Sequence, residues 1–155
     1  MDGPFSGGLW ICLAAVQETG EALQFVHEQT ENICRDAVAD QPPALRFVRE
    51  QTKAVCRLAV TTSPDALKYV EHQTDEVCRL ALEREADALK YVREQTRELC
   101  LVAVRNEGKA LRYVQHQTRE ICEAAMDDNE YSIRYILDPE LRREMADEYE
   151  VDEEE

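Results

Sequence analysis

One cysteine falls every 22 residues, at Cys12, Cys34, Cys56, Cys78, Cys100 and Cys122, and these are all six cysteines of the chain. A Gln-Thr pair keeps the same step at Gln29-Thr30, Gln51-Thr52, Gln73-Thr74, Gln95-Thr96 and Gln117-Thr118. A fixed period of this kind marks a repeat array, in which neighbouring copies bury the core that no single copy can close. Full copies start at Ala22, Ala44, Ala66, Ala88 and Ala110, and positions are counted from these alanines. Residues 9–16 match only the second half of a copy, and a partial copy starts at Ser132 and breaks down at Asp138-Pro139. The expected organisation is a leader over residues 1–8, an array over 9–137 (half a copy, five full copies, one partial copy), and a C-terminal helix with an acidic tail over 138–155.

Within one copy the apolar side chains form two groups, Ala44, Leu45, Phe47 and Val48, then Val55, Cys56, Ala59 and Val60. Both groups satisfy helical spacing and fail the strict alternation of a strand. Between them stands Gln-Thr. Threonine is a good N-cap, and acidic residues such as Glu31, Asp75 and Glu98 follow it, where the helix dipole favours negative charge. Gly20, Pro42-Pro43, Ser63-Pro64 and Gly108 punctuate the joints between copies. The expectation is an all-α solenoid of helix-turn-helix repeats, with helices of about eight and about ten residues in each copy. The rival is one long helix with a period near 11 residues, which would place Gln-Thr in a helix interior. At the C-terminus, Asp138 and Pro139 fit the N-cap and first position of a last helix, with Leu141, Met145 and Tyr149 on one face.

An apolar fraction of 44% is enough for a packed core. The net charge of −15 is unevenly placed: residues 127–155 hold 13 acidic and 3 basic side chains, so the tail carries most of the excess. The longest apolar run, residues 9–16, is too short to span a bilayer and lacks the positive flank of a secretion signal. No membrane partner is expected, and a cytoplasmic, reducing environment is. The cysteines occupy equivalent sites in successive copies, roughly 10 Å apart for stacked helices, which is beyond disulfide reach.

The phrase resembles a helical repeat family of undefined function, found in bacterial, protist and large-virus proteins, whose copies read A-L-x-Y/F-V-x-x-Q-T-x-x-x-C-x-x-A-V. Ala44-Leu45, Phe47-Val48, Gln51-Thr52, Cys56 and Ala59-Val60 match it, and the likeness extends over residues 9–137. The resemblance implies a helical solenoid and no catalytic residues. Occurrence of the family in viral proteins associates it with action on a host factor.

The cysteine row lacks the paired spacing of a zinc site and reads as small core residues that let helices approach. The aromatic row Phe25, Phe47, Tyr69, Tyr91, Tyr113 and Tyr135 reads as a part-buried ridge, the alternative being a base-stacking platform. The glutamines are expected to bond the backbone of the adjacent turn and close the first helix. His27, His72 and His116 read as exposed, with no companion set for catalysis. Position 3 carries Arg46, Lys68, Lys90, Arg112 and Arg134 at identical sites in an acidic chain. That row is either a basic ribbon for an acidic partner or a set of local pairs with the glutamate four residues on, such as Glu50 and Glu94. Leu9, Trp10 and Leu13 form an apolar edge where solenoids usually carry polar caps, which suits docking of a partner or a second copy, or self-covering by Phe5.

No nucleophile–base pair, metal box or phosphate loop is legible, so no enzyme, metal or cofactor is expected. The expected function is a non-catalytic protein-interaction scaffold or inhibitor, with contacts at Arg46, Lys68, Lys90, Arg112, Arg134, His72 and His116. The alternatives are an acidic nucleic-acid mimic that occupies a basic site on another protein, and nucleic-acid binding along the position-3 row.

Overall fold

The computed structural model describes residues 14–16 and 18–151. The leader, the apolar edge at Leu9, Trp10 and Leu13, and the end of the acidic tail lie outside the described residues. Every element of the described residues is helical, and none is a strand. Short 3-10 helices, Gly20–Phe25, Pro42–Phe47, Pro64–Tyr69, Ala86–Tyr91, Gly108–Tyr113 and Glu130–Tyr135, alternate with α-helices Glu31–Asp40, Lys53–Thr62, Asp75–Arg84, Arg97–Asn106 and Arg119–Asp128. A last α-helix, Pro139–Tyr149, follows.

The second half of each copy is the ten-residue helix its pattern predicts. The first half differs. It is a six-residue 3-10 helix that starts two residues ahead of the alanine, where a helix of about eight residues was expected. Pro42 and Pro43 supply no N–H, and the turn closes by i to i+3 bonds, Ala44 N to Gln41 O at 2.8 Å and Val48 N to Leu45 O at 3.1 Å. Val48 then turns extended, at φ −75° and ψ 119°. Six residues hold too few apolar positions to separate a period of 3.0 from one of 3.6.

Gln-Thr is not helix interior. Thr52 is extended, at φ −69° and ψ 157°, and its side chain accepts from Val55 N. Thr30, Thr74, Thr96 and Thr118 cap their helices in the same way. Each cap satisfies one of the four N–H groups a helix start leaves open, which fixes where every α-helix begins. The single long helix is thereby ruled out.

The chain divides into two compact units between Gln73 and Thr74. In the first, helix Glu31–Asp40 packs on Lys53–Thr62, and the 3-10 helices Pro42–Phe47 and Pro64–Tyr69 pack beside them. Leu23, Ala37, Val38, Leu45, Ala59, Val60 and Leu67 are fully buried there. In the second, helices Asp75–Arg84, Arg97–Asn106 and Arg119–Asp128 stack in chain order over Ala81, Leu82, Leu89, Ala103, Val104, Leu111 and Ala125. Alanine at position 16 of each copy leaves room for the neighbouring helix to approach.

The second unit has one joint with no room for a side chain. A Cβ on Gly108 would press into the carbonyl oxygen of Ala125 and lie 2.5 Å from Ser132 Oγ. Ser132 replaces the alanine that starts every other copy, is fully buried, and has no hydrogen-bond partner for its hydroxyl. Gly108→Ala should lower unfolding stability by about 1–3 kcal/mol through overpacking. Ser132→Ala should raise it by about 1 kcal/mol, because an unsatisfied hydroxyl leaves the core. Urea unfolding of the two variants beside the wild type measures both signs.

Candidate interaction surface

The outward side of each copy is set by what its inward side is bound to. Gln29 Nε2 donates to Leu23 O and to Phe47 O, each at 2.9 Å, and its Oε1 accepts from Arg49 N at 2.9 Å. Gln51 bonds Leu45 O, Tyr69 O and Glu71 N in the same arrangement. Gln95 does so with Leu89, Tyr113 and Gln115, and Gln117 with Leu111, Tyr135 and Leu137. One side chain thus closes its own 3-10 helix and fastens the next copy 18 and 20 residues on. The expected closure of the first helix is present, and the bond to the following copy is what the sequence did not disclose.

The cysteines back this ladder. Cys34, Cys56 and Cys100 point their thiols at Gln29, Gln51 and Gln95 Oε1, with Sγ to O distances of 4.0, 3.8 and 3.9 Å. All five described cysteines are free and buried. Burial raises each thiol above its ordinary range, and lifts Cys78 and Cys122 to about 11. A thiolate is the reactive form, and burial disfavours it at these five cysteines. A cleft of about 380 Å³ opens over the first rung, lined by Gln29, Glu31, Cys34, Arg49, Glu50, Thr52 and Val55.

With positions 1, 2 and 5 buried, position 3 faces solvent and position 4 is half-buried. Arg46 lies over Phe47 with its guanidinium carbon 4.6 Å from the ring centre, and 5.9 Å from that of Tyr69. Lys68 lies over Tyr69 at 5.0 Å, Lys90 over Tyr91 at 4.8 Å, and Arg112 over Tyr113 at 4.7 Å. Arg134 departs from the pattern and lies 5.8 Å from Tyr131. Exposed contacts of this type contribute about 0.5–1 kcal/mol each. They also restrict long, flexible side chains to positions over the aromatic rings. Phe25, which follows Gln24 and so has no position-3 cation, is 82% exposed.

Two cations of this row pair backwards along the chain, and Arg46 does so in place of the expected pair with Glu50. Arg46 bonds Glu21 at 2.9 Å, and Arg112 bonds Asp87 at 2.8 Å, each 25 residues back in the preceding 3-10 helix. The 3-10 helix ends one residue after position 3, so no continuous helix carries the glutamate at position 7 onto the same face. Arg49 reaches back likewise, from Nη1 to His27 O at 2.8 Å. His27, His72 and His116 are exposed, as read. Among the described residues no cluster of three His, Cys, Asp or Glu side chains could hold a metal ion, and no helix is long and apolar enough to cross a membrane.

Gln95→Ala removes three backbone partners at once and leaves the Tyr113 carbonyl without its donor. It should cost about 2–4 kcal/mol in unfolding stability, far more than an exposed substitution at His116. Thiol alkylation near neutral pH should leave the five described cysteines unmodified until the fold opens. Labelling and the circular-dichroism transition should therefore coincide across a denaturant series. No family model, no curated protein and no solved structure matches the chain.

Proposed function

We propose that the copies form a solenoid of 22-residue hairpins, and that this array is a non-catalytic scaffold that holds another protein. The period supports the first part, because the phrase passes through residues 66–95 with no slip in its Cys and Gln-Thr spacing. One observation carries the second. The cations of position 3 lie over the aromatic rings of position 4, in Arg46/Phe47, Lys68/Tyr69, Lys90/Tyr91 and Arg112/Tyr113 alike. A recurring, pre-ordered set of aromatic and cationic groups is the kind of surface from which interface hot spots are built. Arg46 and Arg112 are each bonded to an acid of the preceding 3-10 helix. That arrangement presents alternating charge, which favours a protein surface over a continuous phosphate backbone.

The test is site-specific photo-crosslinking from positions 72 and 116 in cells, with the chain either unchanged or carrying R46E, K68E, K90E and R112E together. A scaffold gives discrete crosslinked proteins at wild-type positions that disappear with charge reversal. A pattern that survives the reversal removes the position-3 row from the account. Binding of single-stranded nucleic acid that falls steeply with salt, and is lost in the reversed chain, would replace the protein reading by the nucleic-acid one.

A further inference from the structure

We propose that the exposed ring of Phe25, in the first full copy, is the docking point for a basic segment of a partner protein, whose arginine or lysine side chain lies over the ring. This deepens the scaffold reading, on which it rests, by naming the chemistry of the partner at that copy.

The first support is an unfilled place in a regular row. At position 4 the rings of Phe47, Tyr69, Tyr91 and Tyr113 each lie under the cation of the residue before, at 4.6, 5.0, 4.8 and 4.7 Å. All four are half-buried. Phe25 follows Gln24, which has no charge to offer. The next cation of position 3, Arg46, lies over Phe47 and Tyr69. Among the described residues no cation covers the Phe25 ring, which is 82% exposed. The face of an aromatic ring is its negative side and attracts a cation laid over it. The chain thus shows four times which group a ring at this position accepts.

The second support is the charge around the ring. Residues 1–34 contain the acids Asp2, Glu18, Glu21, Glu28 and Glu31, and no lysine or arginine. Arg46 takes Glu21. Glu18, Glu28 and Glu31 are exposed and have no ion-pair partner among the described residues. A basic segment is therefore attracted to this copy, whereas the cation at position 3 of each later copy repels it. The same acids repel a phosphate backbone, so base stacking is disfavoured at this ring. An apolar partner has little to gain either, because the neighbouring apolar residues Leu23 and Val26 are buried and the ring stands alone.

The experiment titrates the full chain at low salt with three capped peptides, Gly-Arg-Gly-Arg-Gly and its counterparts with glutamate or norleucine in place of arginine. The ring resonances of Phe25 and the backbone amides of residues 18–31 are followed by NMR in the wild type, in Phe25→Leu and in Gln24→Arg. The expected result is a saturable movement of the Phe25 ring with the arginine peptide alone. Affinity falls about threefold in Phe25→Leu, which keeps apolar bulk and loses the ring face. In Gln24→Arg the ring resonances are displaced before any peptide is added, and their response to peptide is lost. Three results overturn the docking point: a ring that does not respond to the arginine peptide, a ring that responds equally to the norleucine peptide, or an affinity unchanged in Phe25→Leu. Crosslinking from positions 72 and 116 is read separately. A silent Phe25 ring beside intact crosslinks overturns the docking point alone, and absent crosslinks beside a responsive ring overturn the scaffold reading alone.

Discussion

A glutamine side chain has two N–H donors and a carbonyl acceptor on one rigid amide, and in this fold that amide joins successive copies within each unit. Its donors take the carbonyls of the preceding leucine and the following aromatic residue, and its oxygen takes the amide two residues beyond that. The Tyr69 carbonyl is available because the 3-10 helix ends there and Val70 turns extended. Had the turn continued as an α-helix, that carbonyl would have been consumed four residues on. The short 3-10 helix, the extended Val70, and the Gln-Thr joint are thus parts of one solution to backbone hydrogen bonding. Threonine then starts the α-helix next to the glutamine, and cysteine, four residues after threonine, backs the amide oxygen from the core side.

That arrangement divides labour along the phrase. Positions 1, 2, 5, 8, 9, 12, 13, 16 and 17 are committed to packing, capping or the ladder, so they repeat. The side chains at positions 3, 6 and 7 face solvent, and there the residue type varies: Glu50 becomes His72, and Arg93 becomes Gln115. Any recognition belongs to these positions and to the aromatic ridge beneath them. The cation at position 3 is an intermediate case. It varies between arginine and lysine but keeps its charge, because it lies on the ring that follows it.

Much of this was legible without coordinates. Thr30, Thr52, Thr74, Thr96 and Thr118 read as caps and are caps, because an N-cap is decided by the three residues after it. The core list also followed from spacing, since Val55, Cys56, Ala59 and Val60 recur on one face. What stayed hidden is whatever depends on a partner in another copy. The glutamines were read as closing their own helix, and the rung to the next copy involves backbone atoms that carry no side-chain signature. Arg46 was paired with Glu50, beyond the end of its own short helix, and its acid is instead Glu21, in the preceding 3-10 helix. Phe25 was read as one ring of a part-buried ridge, and only its exposure sets it apart from the rings that follow.

The ladder makes a claim about specific amides. Arg49, Gln115 and Leu137 are exposed loop residues outside any helix, and in ordinary loops their N–H groups would exchange with solvent freely. Here each donates at 2.9 Å to a glutamine oxygen. Residue-resolved native-state hydrogen exchange is the direct measurement. The account predicts that these three amides are protected to the same degree as the α-helix amides of Cys56 and Cys100, and that they open with them. Exchange at the rate of an unstructured chain, with the helices still protected, would contradict the ladder as the element that joins the copies.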